Sequence, residues 1–232
     1  MLVLDGAVQV TLMDEFVYHE MLAHVPLHAH PAPKDVLIIG GGDGGTAREV
    51  LRHAEVESVT LVEIDRRVVD VCRRFLPELS CSYDNPKLQV LFEDGVEYVK
   101  NKKASYDVIL VDSPDPVGQA ARLFSLEFYQ AIFDALRPGG IFAAQTESPF
   151  VDAELIGRVY RDAGRVFPIT KLYQAVVPTY PTALWTFTIG SKQYDPEANH
   201  RKPAFEDDLR YYNADLHQAS FKLPNFVKKL LR

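Results

Sequence analysis

Residues 35–54 read DVLIIGGGDGGTAREVLRHA. A continuous apolar run breaks into glycines and reopens with Ala47, Val50, Leu51 and Ala54 at helical spacing. An apolar run without alternation suits a strand covered on both faces, and spacing of i, i+3, i+4, i+7 suits an amphipathic helix. Strand, glycine turn and helix in that order mark one winding unit of a parallel sheet, and the rest of the chain must be compatible with it.

The alternation continues. Val59–Val62 reads as a second strand, and Val68, Val71, Cys72 and Phe75 mark a helix ended by Pro77. Leu88–Phe92 and Val108–Val111 read as the third and fourth strands. Ser125 can cap a helix running through Leu136, stopped by Pro138-Gly139-Gly140, and Ile141–Ala144 is a fifth strand. Asp152 can cap another helix, and two β-rich runs near 172–177 and 185–189 close the sheet as a pair. Before the glycines, LVLDGAVQV reads as a hairpin turning at Asp5-Gly6, and 15–27 has helical spacing. The fold class is therefore α/β, a doubly wound Rossmann-like sheet with a short N-terminal β-hairpin.

Gly40-Gly41-Gly42-Asp43-Gly44-Gly45 fits G-x-G-x-x-G between a strand and a helix, which points to a nucleoside ligand. A dinucleotide would lay its pyrophosphate on the helix N-terminus. Asp43 opposes such an anion and suits an ammonium or sulfonium, which favours an adenosyl-sulfonium ligand over NAD. Glu63, ending the second strand, can accept from a ribose diol. Asp94, beside Gly95 at the third strand end, can accept from an adenine amino group. The fourth strand ends VDSPDP, with Asp112 nearest the sheet and Asp115 in a loop stiffened by Pro114 and Pro116.

With 232 residues, 47% apolar content and a net charge of −7, the chain can bury one sizeable core and lacks the basic stripe that nucleic-acid binding requires. Cys72 and Cys81 are the only cysteines. No signal peptide or long apolar run is visible, so a cytoplasmic location with free thiols and no membrane association is expected.

The stretches LDGAVQVTLMDEF, YHEM, GGGDGG, VDSPDP and PTYPT, in the family's order, carry a resemblance to the spermidine synthases, the polyamine aminopropyltransferases, over nearly the whole chain. The resemblance implies the class I methyltransferase fold and a different reaction. Decarboxylated S-adenosylmethionine, a co-substrate rather than a prosthetic group, gives its aminopropyl group to putrescine, leaving spermidine and methylthioadenosine. It also implies that Asp112 accepts the proton, that Asp115 binds the amine and that Tyr18 assists. On the donor side it places Gln9, Gly40, Gly42, Asp43, Glu63, Asp94, Gly95 and Gln119. Around the amine it places His19, Ser113, Gln145 and Tyr180, together with Asp43, Asp112 and Asp115.

The resemblance further implies a homodimer or higher homo-oligomer. It begins inside the family's N-terminal β-domain, so residues 1–30 read as a remnant of that domain and its linking helix, and 31–232 as the catalytic domain. Pro114 stands where Ser or Thr is common, Gln119 where Pro is common, and Thr182-Ala183 where Ser-Gly is usual. That last departure adds bulk beside the amine pocket. Cadaverine, agmatine or spermidine as acceptor, a methyltransferase, and a non-catalytic nucleoside-binding homologue are the competing readings. His24, His28 and His30 lie close enough to suggest a metal, but displacement at a sulfonium needs none and the resemblance makes this segment scaffold.

Overall fold

The computed structural model describes Met1–Arg232. Its centre is a seven-stranded sheet built from β3 (Asp35–Gly40), β4 (Ser58–Val62), β5 (Leu88–Leu91), β6 (Tyr106–Asp112), β7 (Leu136–Gln145), β8 (Ile169–Val176) and β9 (Leu184–Ser191). The order is β5-β4-β3-β6-β7-β9-β8. The first five are parallel, and β9 runs antiparallel between β7 and β8. The chain winds outward from β3 in one direction to β4 and β5, then returns to place β6 on its other side. A ligand crevice opens at such a reversal, at the carboxyl ends of the strands.

Helices cover both faces: α1 (Glu15–Ala29), α2 (Gly45–Val50), α3 (Arg66–Phe75), α4 (Pro77–Ser80), α5 (Gly95–Lys100), α6 (Leu126–Ala135), α7 (Ala153–Val166), α8 (Ala214–Ser220) and α9 (Asn225–Leu230). Strand residues alternate between two cores. Val36, Ile38, Val108 and Leu110 join the α1 face, whereas Leu37, Ile39, Ile109 and Val111 join the face covered by α5, α6 and α7. This is why β3 and β6 read as unbroken apolar runs: both faces are dry. Helix α1 contributes Val17 through Ala29 to the first of these cores, while β1 (Leu2–Leu4) and β2 (Ala7–Val10) form a separate antiparallel hairpin turning at Asp5 and Gly6, both at positive φ.

Three sequence expectations need correction. The helix after Ser125 ends at Ala135, and Leu136 is already extended (φ −77°, ψ 139°). Pro138-Gly139-Gly140 lies inside β7 as an irregularity, where the register against β6 slips between Tyr106 and Val108. Glycines fit a strand at such a bulge. Pro77 does not merely end α3; it opens α4, where its missing N–H costs nothing. On α3 the buried side is Val69 and Cys72, and Val71 and Phe75 face outward. Both cysteines are free, Cys72 buried and Cys81 exposed. No helix is long and apolar enough to cross a membrane.

Candidate active site

A cavity of about 350 Å³ opens at the carboxyl edge of the sheet, over the reversal between β3 and β6. It is lined by Gly40, Gly42, Asp43, Glu63, Asp94, Gly95, Asp112, Ser113 and Gln119, together with Tyr18 and His19 from α1, Tyr180, and Leu2, Leu4 and Gln9 from the hairpin. Gly40 and Asp112 are direct partners in the parallel register, so the glycine loop and the VDSPDP loop leave the sheet side by side.

The glycine loop uses its own N–H groups. Gly41 N donates to Asp112 O at 2.9 Å, Gly42 N to Glu63 Oε2 at 3.1 Å, and Gly45 N to Asp43 Oδ1 at 2.7 Å. These are the donors a pyrophosphate would need, and here protein acceptors already hold them. The side chain missing at position 42 is also required: a Cβ there would lie 2.7 Å from Glu63 Oε2. The loop therefore suits a nucleoside without phosphates.

Asp112 is held at both oxygens. Tyr18 donates its hydroxyl to Oδ1 at 2.9 Å and Thr46 donates to Oδ2 at 2.6 Å. Burial and the nearby Asp43 raise the Asp112 pKa, against the lowering effects of His19, Thr46 and Tyr18. Asp43 goes the other way. Burial opposes its charge, but the His19 ring at 3.5 Å and the Gly45 N–H hold its pKa below the ordinary value. His19 Nδ1 meets Glu15 Oε2 at 2.6 Å, one helical turn back, and Arg48 donates to the same oxygen at 2.8 Å. Burial disfavours the imidazolium, yet Asp43 and Glu15 together lift the His19 pKa to about 10. The result is an alternating chain, Arg48–Glu15–His19–Asp43, that ends at the cavity.

Glu63 spans the loop, accepting from Gly42 N and, at 2.9 Å, from Asp65 N; burial raises its pKa. Asp94 is the N-cap of α5, accepting from Val96 N at 2.8 Å, and its other oxygen accepts from Arg122 at 2.9 Å. An adenine amino group at Asp94 has to share that second oxygen with Arg122. Gln9 places its side chain on the cavity wall and its carbonyl under Tyr180, whose hydroxyl donates to it at 2.9 Å. Tyr180 packs edge-on to Tyr18, with ring centroids 5.6 Å apart.

Two expected residues lie outside this cavity. Gln145 is buried behind the loop and donates to Ser113 O at 3.2 Å. Asp115 is exposed and flanks Glu147. Glu147 and Thr46 escaped the sequence reading. Thr46 looks like any first-turn helix residue. Glu147 follows a strand with no pattern around it, yet it is buried, adopts φ +67°, and has its pKa pushed up to about 8 by burial and by Asp115. Thr182 and Ala183 are also left-handed (φ +65° and +61°), in the turn where the resemblance leads one to expect Ser-Gly. The Thr182 and Ser148 hydroxyls meet at 2.6 Å across that turn.

The spermine/spermidine synthase domain model matches residues 15–202. A polyamine aminopropyltransferase of Desulforudis audaxviator is 52% identical over 231 residues, covering 100% of this chain and 84% of its own length. One from Bacillus subtilis is 50% identical over 232 residues, with the same coverage. A crystal structure of spermidine synthase in complex with the transition-state analogue AdoDATO superposes with a TM-score of 0.95 at 49% identity, covering 99% of this chain and 80% of that one. Spermidine synthase from Thermotoga maritima gives a TM-score of 0.92 at 47% identity, covering 99% and 78%.

Proposed function

The chain belongs to the spermine/spermidine synthase family and is an enzyme of the aminopropyltransferase class, and from that premise we propose that it carries the aminopropyl group of decarboxylated S-adenosylmethionine to putrescine. The observation that carries this reading is Asp112. It is fixed by Tyr18 and Thr46 at the sheet's reversal, opens into the same cavity as Asp43, and is more basic than an ordinary carboxylate.

In the proposed reaction the nucleoside half of the donor lies along the glycine loop, Glu63 and Asp94. Its aminopropyl ammonium is held by Asp43, which would repel the carboxylate of ordinary S-adenosylmethionine. The acceptor's free amine attacks the propyl carbon next to the sulfonium. The new C–N bond forms as the C–S bond breaks, the bonding pair returns to sulfur, and methylthioadenosine leaves. The proton shed by the attacking nitrogen passes to Asp112. Alkyl amines have pKa values near 10.4, far above any carboxylate, so Asp112 acts by orienting the amine and taking its proton as the bond forms. Asp115 and Glu147, which lie beside each other, hold the acceptor's distal ammonium.

Methylthioadenosine release from decarboxylated S-adenosylmethionine and a panel of diamines tests this. Putrescine should give the highest kcat/KM, with a rate that rises from pH 7 toward 9 as the amine deprotonates. Asp112→Asn should lower kcat by roughly 10²–10⁴-fold, the range of general acid–base catalysis, while methylthioadenosine still binds. A faster reaction with another amine would reassign the acceptor, and full activity in Asp112→Asn would remove the proposed proton acceptor.

A further inference from the structure

Away from the cavity, the outer side of α1 meets the turn after α2 in a cluster of imidazoles. His24, His28 and His53 are 0%, 3% and 0% exposed, and one ring nitrogen from each lies within 4.8 Å of the others. His30, the third histidine of the sequence pattern, is elsewhere, packed edge-on to Tyr194. Phe205 and Tyr212 from the C-terminal segment close over the cluster, with the Tyr212 ring stacked on His28.

The hydrogen bonding of this cluster does not close. His24 Nε2 lies 3.2 Å from Glu49 Oε2, a carboxylate that can only accept, so Nε2 carries the proton and Nδ1 is a bare lone pair. His53 Nε2 lies 3.0 Å from that lone pair, and His53 Nδ1 faces Glu55 Oε1 at 4.0 Å, too far for a hydrogen bond. Put the His53 proton on Nε2, and Nδ1 turns a lone pair toward a carboxylate. Put it on Nδ1, and two lone pairs confront each other at 3.0 Å. His28 has no partner for either ring nitrogen. Buried polar atoms are rarely left so.

We propose that His24 Nδ1, His53 Nε2 and one ring nitrogen of His28 bind a divalent transition metal of the zinc class, at a structural site remote from the reaction. One cation takes up all three lone pairs. Two nitrogens at the 2.0–2.1 Å distance of tetrahedral zinc stand about 3.3 Å apart, close to the spacing His24 and His53 already have. His24 and His28 are related by one helical turn, the spacing that puts two imidazoles of a helix on one metal. A metal-bound histidine usually donates its other N–H to a carboxylate; Glu49 stands in that place for His24 and Glu55 for His53. These two acids also offset the neighbouring Arg48, Arg52 and Arg201. The metal enters as the chain folds and pins α1 to the α2 turn, beneath the cover of Phe205 and Tyr212.

The test uses the full chain, unfolded in urea and refolded with zinc so that burial cannot hide the site, then desalted and assayed by elemental analysis. The wild type should keep one zinc per chain, show a shell of three imidazoles by X-ray absorption, and give visible ligand-field bands with cobalt in place of zinc. His28→Leu and His53→Gln should each lose the metal, and His28→Leu should keep aminopropyl transfer. Wild-type protein that refolds without stoichiometric metal would overturn the proposal. So would an absorption spectrum lacking the imidazole shell, which needs no variant to fold, or metal retention at the wild-type level by both variants.

Discussion

At the scale of single residues, the site is governed by how each carboxylate is compensated. Asp43 faces an imidazolium and stays ionised, Asp112 is buried with only hydroxyl donors at its side chain and becomes more basic, and Glu147 is buried with a second carboxylate beside it and also becomes more basic. With a pKa of about 8, Glu147 is mostly protonated at pH 7. The folded chain then binds a proton that the unfolded chain has released, so this group's contribution to stability falls as pH climbs from 4.5 to about 8. An ammonium placed between Asp115 and Glu147 should expel that proton. Calorimetry of diamine binding at pH 7, in the presence of methylthioadenosine, should show an enthalpy that varies with the buffer's ionisation enthalpy, equivalent to up to about one proton released. Glu147→Gln should flatten that dependence; an unchanged slope would place the titrating group elsewhere.

At the scale of elements, the first turns of α1 couple scaffold to site. Glu15 and His19 share one helix side by their i, i+4 spacing, and Tyr18 turns toward Asp112. His19 is a base whose folded pKa is raised from 6.5 to about 10. Its stabilising contribution is fully present below 6.5 and is lost as pH rises through about 10. Glu15→Gln removes one of the two anions holding the proton. The imidazole should then titrate at lower pH by NMR, and the alkaline loss of stability should begin earlier. An unmoved His19 titration would show that Asp43 alone sets its charge. The sequence displayed this helix through its spacing, but not the partnership of Arg48 with Glu15, which lie 33 positions apart in the sequence.

At the scale of the whole molecule, the hairpin is a separate two-stranded sheet whose Val10 packs in a small cluster with Cys72, Leu76 and Leu79, with Leu2, Leu4 and Gln9 on the cavity wall. A lone hairpin is marginal in water, so its place depends on those contacts and on the Tyr180 bond to Gln9 O. Deleting residues 1–10 should weaken methylthioadenosine binding by calorimetry while leaving the main thermal transition of the seven-stranded sheet in place; equal affinity would show that the hairpin adds no binding surface. The succession of strands and helices, the glycine loop and the row of strand-end acids were legible in the sequence because they rest on local patterns: apolar runs, helical spacing, and acids at fixed offsets from them. The end of α6 was not, because Pro138-Gly139-Gly140 serves equally as a helix stop or a strand bulge, and only pairing with β6 selects the bulge. Gln145 and Asp115 came to lie off the cavity wall, Thr46 reached Asp112 and Glu147 came to lie beside Asp115, because loop paths depend on packing between distant segments. The sequence by itself determined which chemistry collects at the sheet's carboxyl edge, since residue type and position along a strand are local facts. Only the tertiary structure decided which acids keep their protons and which histidines meet, because a charge's environment and a ring's neighbours come from parts of the chain far apart in sequence.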